Sequence, residues 1–124
     1  MLNQFLDEVI KKIQMLKGID LVYFLDSDYK VLKELKITEA DNCLDQIKEI
    51  IKLESLSNKI GEAFYSKDFH TYTLLNESGL IVISKLSTSD TIYMVIVAGE
   101  DEPVDLINLL KICKETHFTL LTHD

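Results

Sequence analysis

Three strand-sized segments of this chain are apolar at nearly every position. They are residues 21–25 (LVYFL), 79–86 (GLIVISKL) and 91–99 (TIYMVIVAG). A strand with one face in water alternates apolar and polar residues, whereas a strand that is apolar on both faces belongs to a sheet covered on both sides. The sequence therefore predicts a sheet with helices on each face.

Two helices are predicted before the second half of the chain. Residues 2–16 carry apolar side chains at helical spacing and stop before Gly18, which suits a helix end. A long middle helix is predicted over residues 41–64, since Thr38 and Asp41 resemble a capping box with Asp in the place of Glu.

The middle helix carries two apolar stripes that do not line up. The first stripe consists of Cys43, Leu44, Ile47, Ile50 and Ile51. The second stripe, on a different side of the helical wheel from the first, consists of Leu53, Leu56, Ile60 and Phe64. Either the helix breaks near residues 54–58 (ESLSN), or one continuous helix has two apolar faces. In the second case, one face meets the core and the other meets a partner.

The last helix is predicted to start at Pro103, a residue that suits the first helical position. Asp101 or Glu102 would be its cap, and Asp105 would lie in its acidic first turn. The helical pattern runs to His117, and the final seven residues show no clear period.

Short turns join the predicted strands in antiparallel order. Asp26 and Asp28 separate residues 19–25 from a second strand at residues 30–35. A divalent metal would need more oxygen ligands than two carboxylates, and the following residues supply none, so a hairpin turn is favoured. Turn residues also separate the last three strands into a meander.

Composition narrows the function more than any motif does. The 124 residues and apolar fraction of 47% indicate one soluble globular domain, residues 1–124. The net charge is −8 and all 13 basic residues are lysines without a basic run, which argues against nucleic acid or an anionic membrane as partner. With no secretory signal and no span-length apolar run, a cytoplasmic location is expected by default.

Catalytic and metal-binding motifs are absent from the sequence. The three histidines lack metal-ligand spacing, and the four glycines are isolated. Cys43 and Cys113 lie far apart and are interpreted as small buried hydrophobes, with a disulfide as the minority interpretation. We therefore expect neither an enzyme nor a cofactor.

The order of elements, with LVYFLDSDYKVL as the first hairpin and SGLIVISKLSTSDTIYMVIVAGEDEPVDLINLLKICKE as the second half, resembles the roadblock/dynein light-chain domain family over residues 2–117. Asp26 fits the family pattern, whereas Tyr29 stands where members often have Gly. The resemblance implies an α+β, three-layer α/β/α domain of profilin-like plan. Its order is helix-β-β-helix-β-β-β-helix, with a five-stranded antiparallel sheet, the middle helix on one face and the first and last helices on the other.

The resemblance also implies a function. Family members are non-enzymatic interaction modules, usually dimers, that bind and regulate or scaffold Ras-like small GTPases. Their middle helices and the edge strand that follows join two copies into one extended sheet. Carried onto this sequence, the expected homodimer or partner interface consists of Leu53, Leu56, Ile60, Phe64, Phe69, Thr71 and Thr73.

Two other functions stay open from sequence alone. A sheet flanked by helices is also the plan of PAS-like and profilin-like small-molecule sensors, and Tyr23, Tyr72 and Tyr93 would line the cavity of a sensor. At strand spacing, however, tyrosines are more often half-buried core residues. The chain would otherwise be a scaffold subunit of another complex.

Overall fold

The computed structural model describes residues 2–36, 44–52, 54–65, 70–87, 91–99 and 104–123. Within these ranges the elements are α1 (Leu2–Gln14), β1 (Ile19–Leu25), β2 (Val31–Lys36), α2 (Leu44–Ile51), α3 (Glu54–Tyr65), β3 (Thr71–Asn76), β4 (Gly79–Ser87), β5 (Thr91–Ala98) and α4 (Leu106–His123). The strands agree closely with those predicted from the apolar runs.

The five strands form one sheet in the order β2-β1-β5-β4-β3, and every neighbouring pair is antiparallel. The predicted five-stranded antiparallel sheet is therefore confirmed. β2 and β3 are its two edges, while β1, β5 and β4 lie inside. All seven residues of β1 are buried, as its unbroken apolar sequence predicts.

Helices cover both faces of the sheet, so the three-layer arrangement is also confirmed. On one face, α1 and α4 contribute Leu6, Val9, Ile13, Leu109 and Cys113 to a cluster with the sheet. On the other face, α2 contributes Ile47 and Ile51 to a second cluster. Successive residues of the inner strands alternate between these clusters. Val22 and Phe24, for example, face α1 and α4, whereas Tyr23 faces α2.

The middle region consists of two helices, which is one of the two alternatives that the sequence left open, and the break comes just before residues 54–58. α2 ends at Ile51, Lys52 lies in a turn, and α3 begins at Glu54, so the chain has four helices within the described ranges instead of three. Leu53 lies outside those ranges. The break comes where the apolar stripe changes sides. Ile51 is the last residue of the first stripe, and its side chain packs into the core.

The predicted start of the last helix, at Pro103, is wrong. Val104 and Asp105 are not helical, and the Asp105 carboxylate accepts a hydrogen bond from the backbone N–H of Asn108 at 3.1 Å. Asp105 is therefore the N-cap of α4, a position that favours Asp because its oxygen satisfies an otherwise unpaired donor. Pro103 and both predicted cap residues lie outside the described ranges.

The turn between β1 and β2 is organised by one of its two aspartates. Asp26 Oδ1 accepts hydrogen bonds from the backbone N–H groups of Asp28 (2.8 Å) and Lys30 (3.0 Å). Tyr29 adopts a left-handed backbone conformation, with φ of 65°, at the position where a glycine would be unstrained. Its ring lies 6.0 Å from that of Tyr93, so the residue contributes packing that glycine would not. The predicted hairpin is confirmed.

Candidate partner interface

The two edges of the sheet differ in charge. β2 (VLKELK) carries Lys33, Glu34 and Lys36, whereas β3 (TYTLLN) carries no charged residue. Charged residues on an edge strand, especially lysines, oppose pairing with another chain. By this criterion β2 is protected and β3 is open to pairing.

The backbone of β3 alternates between bonding to β4 and pointing outward. Thr71 faces Ser84 in the register of the two strands, so His70 faces Lys85, and the Lys85 N–H donates to the His70 carbonyl at 2.6 Å. In an antiparallel pair, hydrogen-bonded residue pairs alternate with non-bonded ones. The N–H and C=O groups of Thr71, Thr73 and Leu75 therefore point away from β4, toward the open edge.

Two leucines near the end of β3 are exposed. The exposed fraction is 44% for Leu74 and 70% for Leu75. Leu74 faces Ile81, on the α2 side of the sheet, and Leu75 faces Leu80, on the α1 and α4 side. The edge thus presents apolar side chains on both faces.

A surface groove of about 430 Å³ adjoins this end of β3. Leu74 and Leu75 form part of its lining, together with Ile81 and Val97 from the neighbouring strands and the hairpin residue Asn76. The groove continues the apolar surface of the edge strand inward over the sheet.

The side chains of α3 form a further exposed apolar surface. Ile60 is 50% exposed and Phe64 is 78% exposed, and no α3 side chain that the structure describes belongs to either core cluster. By contrast, Ile47 and Ile51 of the preceding helix are almost fully buried. The first stripe of the middle region therefore packs into the core, and the second does not in the part that is described.

The structure describes four of the seven predicted interface residues. Ile60, Phe64 and Thr73 are exposed, while Thr71 is half-buried and its hydroxyl lies 3.0 Å from that of Ser84. Leu53 and Phe69 lie outside the described residues, as does the side chain of Leu56. The predicted interface took only Phe69, Thr71 and Thr73 from this edge strand, and it missed Leu74 and Leu75 because apolar side chains in a strand usually indicate core.

The three tyrosines suggested for a sensor cavity are packed instead. Tyr23 and Tyr93 are 5% and 7% exposed within the cluster on the α2 face, and Tyr72 packs against that cluster. None of them lines the groove described above. Tyr23 and Tyr93 are therefore buried core residues, and Tyr72 is a half-buried one.

Across the described ranges, no three His, Cys, Asp or Glu side chains lie close enough together to hold a metal ion. Burial raises the pKa of the Cys113 thiol to about 12, so this group stays protonated and unreactive. Among the same residues, no helix has the length and apolar character needed to cross a membrane.

The sequence matches no model of a protein family, and no curated protein is found as a relative. Solved structures do match. A roadblock/LC7 domain from Streptomyces avermitilis superposes with a TM-score of 0.65 at 16% identity, covering 91% of each chain. An MglB structure with a tetrameric arrangement gives 0.70 at 10% identity, and the gliding protein MglB from Thermus thermophilus gives 0.64 at 12%; each covers 97% of this chain and 90% of its own. The chain therefore has the roadblock/LC7 fold, as the resemblance of its sequence implies.

Proposed function

We propose that this chain is a non-enzymatic interaction module that forms a homodimer and binds a Ras-like small GTPase, which it regulates or scaffolds. The GTPase part of the proposal comes from the sequence resemblance. Self-association is supported by the fold, which is shared with an MglB of tetrameric arrangement. The observation that carries the homodimer is the open β3 edge, which is uncharged and exposes Leu74 and Leu75.

The outward-facing backbone groups favour one register for the dimer. Two copies related by a two-fold axis pair antiparallel along β3. An axis at Thr73 places Thr73 opposite its own copy and Thr71 opposite Leu75 of the second copy. All three outward-facing residues of each strand then form hydrogen bonds, whereas an axis at Leu74 or Tyr72 includes fewer of them.

A cysteine variant tests this register. Directly opposed hydrogen-bonded residues have Cα atoms about 5.5 Å apart, a separation that a disulfide spans. In a Cys43→Ser background, Thr73→Cys should give a covalent dimer on mild oxidation. Leu74→Cys is the matched control, because its residue 74 would lie opposite residue 72 of the second copy. Equal cross-linking of the two variants would contradict the register.

A charge substitution tests the edge itself. Leu75→Lys should convert a dimer into a monomer of 14.2 kDa by light scattering, because it gives β3 the protection that lysines give β2. Leu32→Lys places the same charge on the opposite edge, at a leucine that is 42% exposed, and should leave the dimer intact. A Leu75→Lys variant that stayed dimeric would remove β3 from the interface.

Charged substitutions in the middle region test whether it forms part of the interface. The interface proposed from sequence, Leu53, Leu56, Ile60, Phe64, Phe69, Thr71 and Thr73, extends from α3 to β3. Ile60→Glu combined with Leu53→Glu should weaken the dimer if the second stripe of the middle region forms part of the contact. Unchanged mass at micromolar concentration would confine the interface to β3.

Binding to a Ras-like GTPase is tested by affinity capture from the source lysate, once with excess GTP analogue and once with GDP. Retention of a Ras-like GTPase in one nucleotide state supports the proposal and identifies the partner. A clean homodimer that retains no GTPase in either state would favour a scaffold subunit of another complex.

A further inference from the structure

Two histidines from distant parts of the chain stack on each other beside the start of β3. His70 immediately precedes the strand, and His117 lies in α4. Their ring centroids are 4.2 Å apart with an angle of 16° between the planes. The stack therefore joins α4 to the strand that forms the open edge of the sheet.

Hydrogen bonds extend this contact into the sheet. His117 Nδ1 lies 3.2 Å from the carbonyl oxygen of Lys85, so that nitrogen carries the proton and donates. His70 Nδ1 lies 2.6 Å from the Thr71 hydroxyl, which lies 3.0 Å from the buried Ser84 hydroxyl. A hydroxyl of β3 thus holds the His70 ring, and a carbonyl group of β4 holds the His117 ring.

Cationic side chains lie near the pair in the part of the chain that the structure describes. Lys114 and His117 face His70 from α4, and Lys85 belongs to the adjacent strand. Residues 66–69, which include Lys67 and Asp68, lie outside the described ranges. The pKa of His70 is lowered, first by burial, then by His117, then by Lys114. Protonation of the His70 ring is therefore opposed by its surroundings.

We propose that the His70–His117 pair is a proton-sensitive link between α4 and the edge strand. When the rings are neutral, they stack and hold the start of β3 in place. When both are protonated, two like charges meet at stacking distance beside Lys114, so the rings separate and the start of β3 is released. The effect on self-association rests on the function proposed above, whereas the release of the strand does not.

Hydrogen exchange at the Lys85 amide tests the link, because this amide donates to the His70 carbonyl at the start of β3. After correction for intrinsic rates, exchange in the wild type should be about tenfold faster at pH 5.0 than at pH 7.5, which corresponds to a loss of about 1.4 kcal/mol of protection. His117→Phe keeps a flat ring but cannot take up a proton, so its exchange should not depend on pH in this way. His70→Phe provides a second variant with the same expectation.

The third histidine provides the matched control. His123 lies six residues beyond His117 along α4, and His123→Gln should keep the pH dependence of the wild type. Equal protection of the Lys85 amide at both pH values would overturn the proposal. The same acceleration in wild type and both phenylalanine variants would also overturn it, since the release would then come from other groups.

Light scattering at the two pH values separates this proposal from the proposed function. If the chain is a dimer at pH 7.5, the link predicts weaker self-association at pH 5.0 in the wild type and not in His117→Phe. If the chain is monomeric at both values, the homodimer is contradicted, and the exchange measurement alone decides the link.

Discussion

At the scale of single residues, the two aspartates of the first turn have different structural roles. The Asp26 carboxylate accepts two backbone hydrogen bonds and fixes the path of the chain between β1 and β2. Asp28 donates its backbone N–H to Asp26, but no contact of its carboxylate is seen among the described residues. The pair that in sequence suggested either a metal site or a turn is, in the structure, one turn-forming residue and one exposed neighbour.

This difference predicts unequal effects of the same substitution. Asp26→Ala should lower the free energy of unfolding by about 1–2 kcal/mol, because two backbone donors lose their acceptor. Asp28→Ala should change it by less than about 0.5 kcal/mol, as expected for a surface residue without such a role. Urea unfolding of the two variants beside the wild type measures both. Similar losses in the two variants would show that Asp26 does not organise the turn.

At the scale of elements, the strands were predictable and the helix ends were not. β1 has the predicted bounds, Ile19–Leu25, because a run of apolar residues between turn signals leaves few alternatives. The cap at Asp105 depends on which of several polar residues reaches a free backbone donor, and periodicity does not decide this. The exposure of Leu74 and Leu75 depends on strand order, which sets distant parts of the chain side by side.

The position of the α4 cap can be measured. Asp105→Ala should cost about 1 kcal/mol of stability, because the N–H of Asn108 loses its acceptor at the helix start. Glu102→Ala, which removes one of the two caps predicted from sequence, should have a much smaller effect. Thermal or urea unfolding distinguishes the two. A larger loss in the Glu102 variant would place the helix start where the sequence alone suggested it.

At the scale of the whole molecule, the inner strands contribute side chains to both hydrophobic clusters, one on each face of the sheet. Adjacent residues of β5, such as Met94 and Val95, pack into opposite clusters. Because both clusters use residues of the same inner strands, unfolding of these strands removes part of both clusters. The two layers should therefore unfold together, as a single cooperative unit.

Phe24 and the tyrosines allow this cooperativity to be tested. Phe24 is fully buried in the cluster with α1 and α4, whereas Tyr23, Tyr29, Tyr72 and Tyr93 pack in or against the cluster on the α2 face. Phe24→Ala should cost about 3–5 kcal/mol. Its urea transition should nevertheless coincide by tyrosine fluorescence and by far-ultraviolet circular dichroism. Two separate transitions would show that the layers unfold independently, and Leu32→Ala on the exposed edge controls for a nonspecific loss.

The central place of β5 has a consequence for how the protein is made. β5 is the last of the five described strands to be synthesised, yet it lies between β1 and β4 and joins the two hairpins. Until Thr91–Ala98 has been synthesised, the nascent chain holds β1–β2 and β3–β4 as separate units, each with an extra unpaired side. Pairing β1 with β5 then closes a long loop, which is the kind of contact that slows folding. The growing chain is therefore more exposed to aggregation before β5 is synthesised than after it.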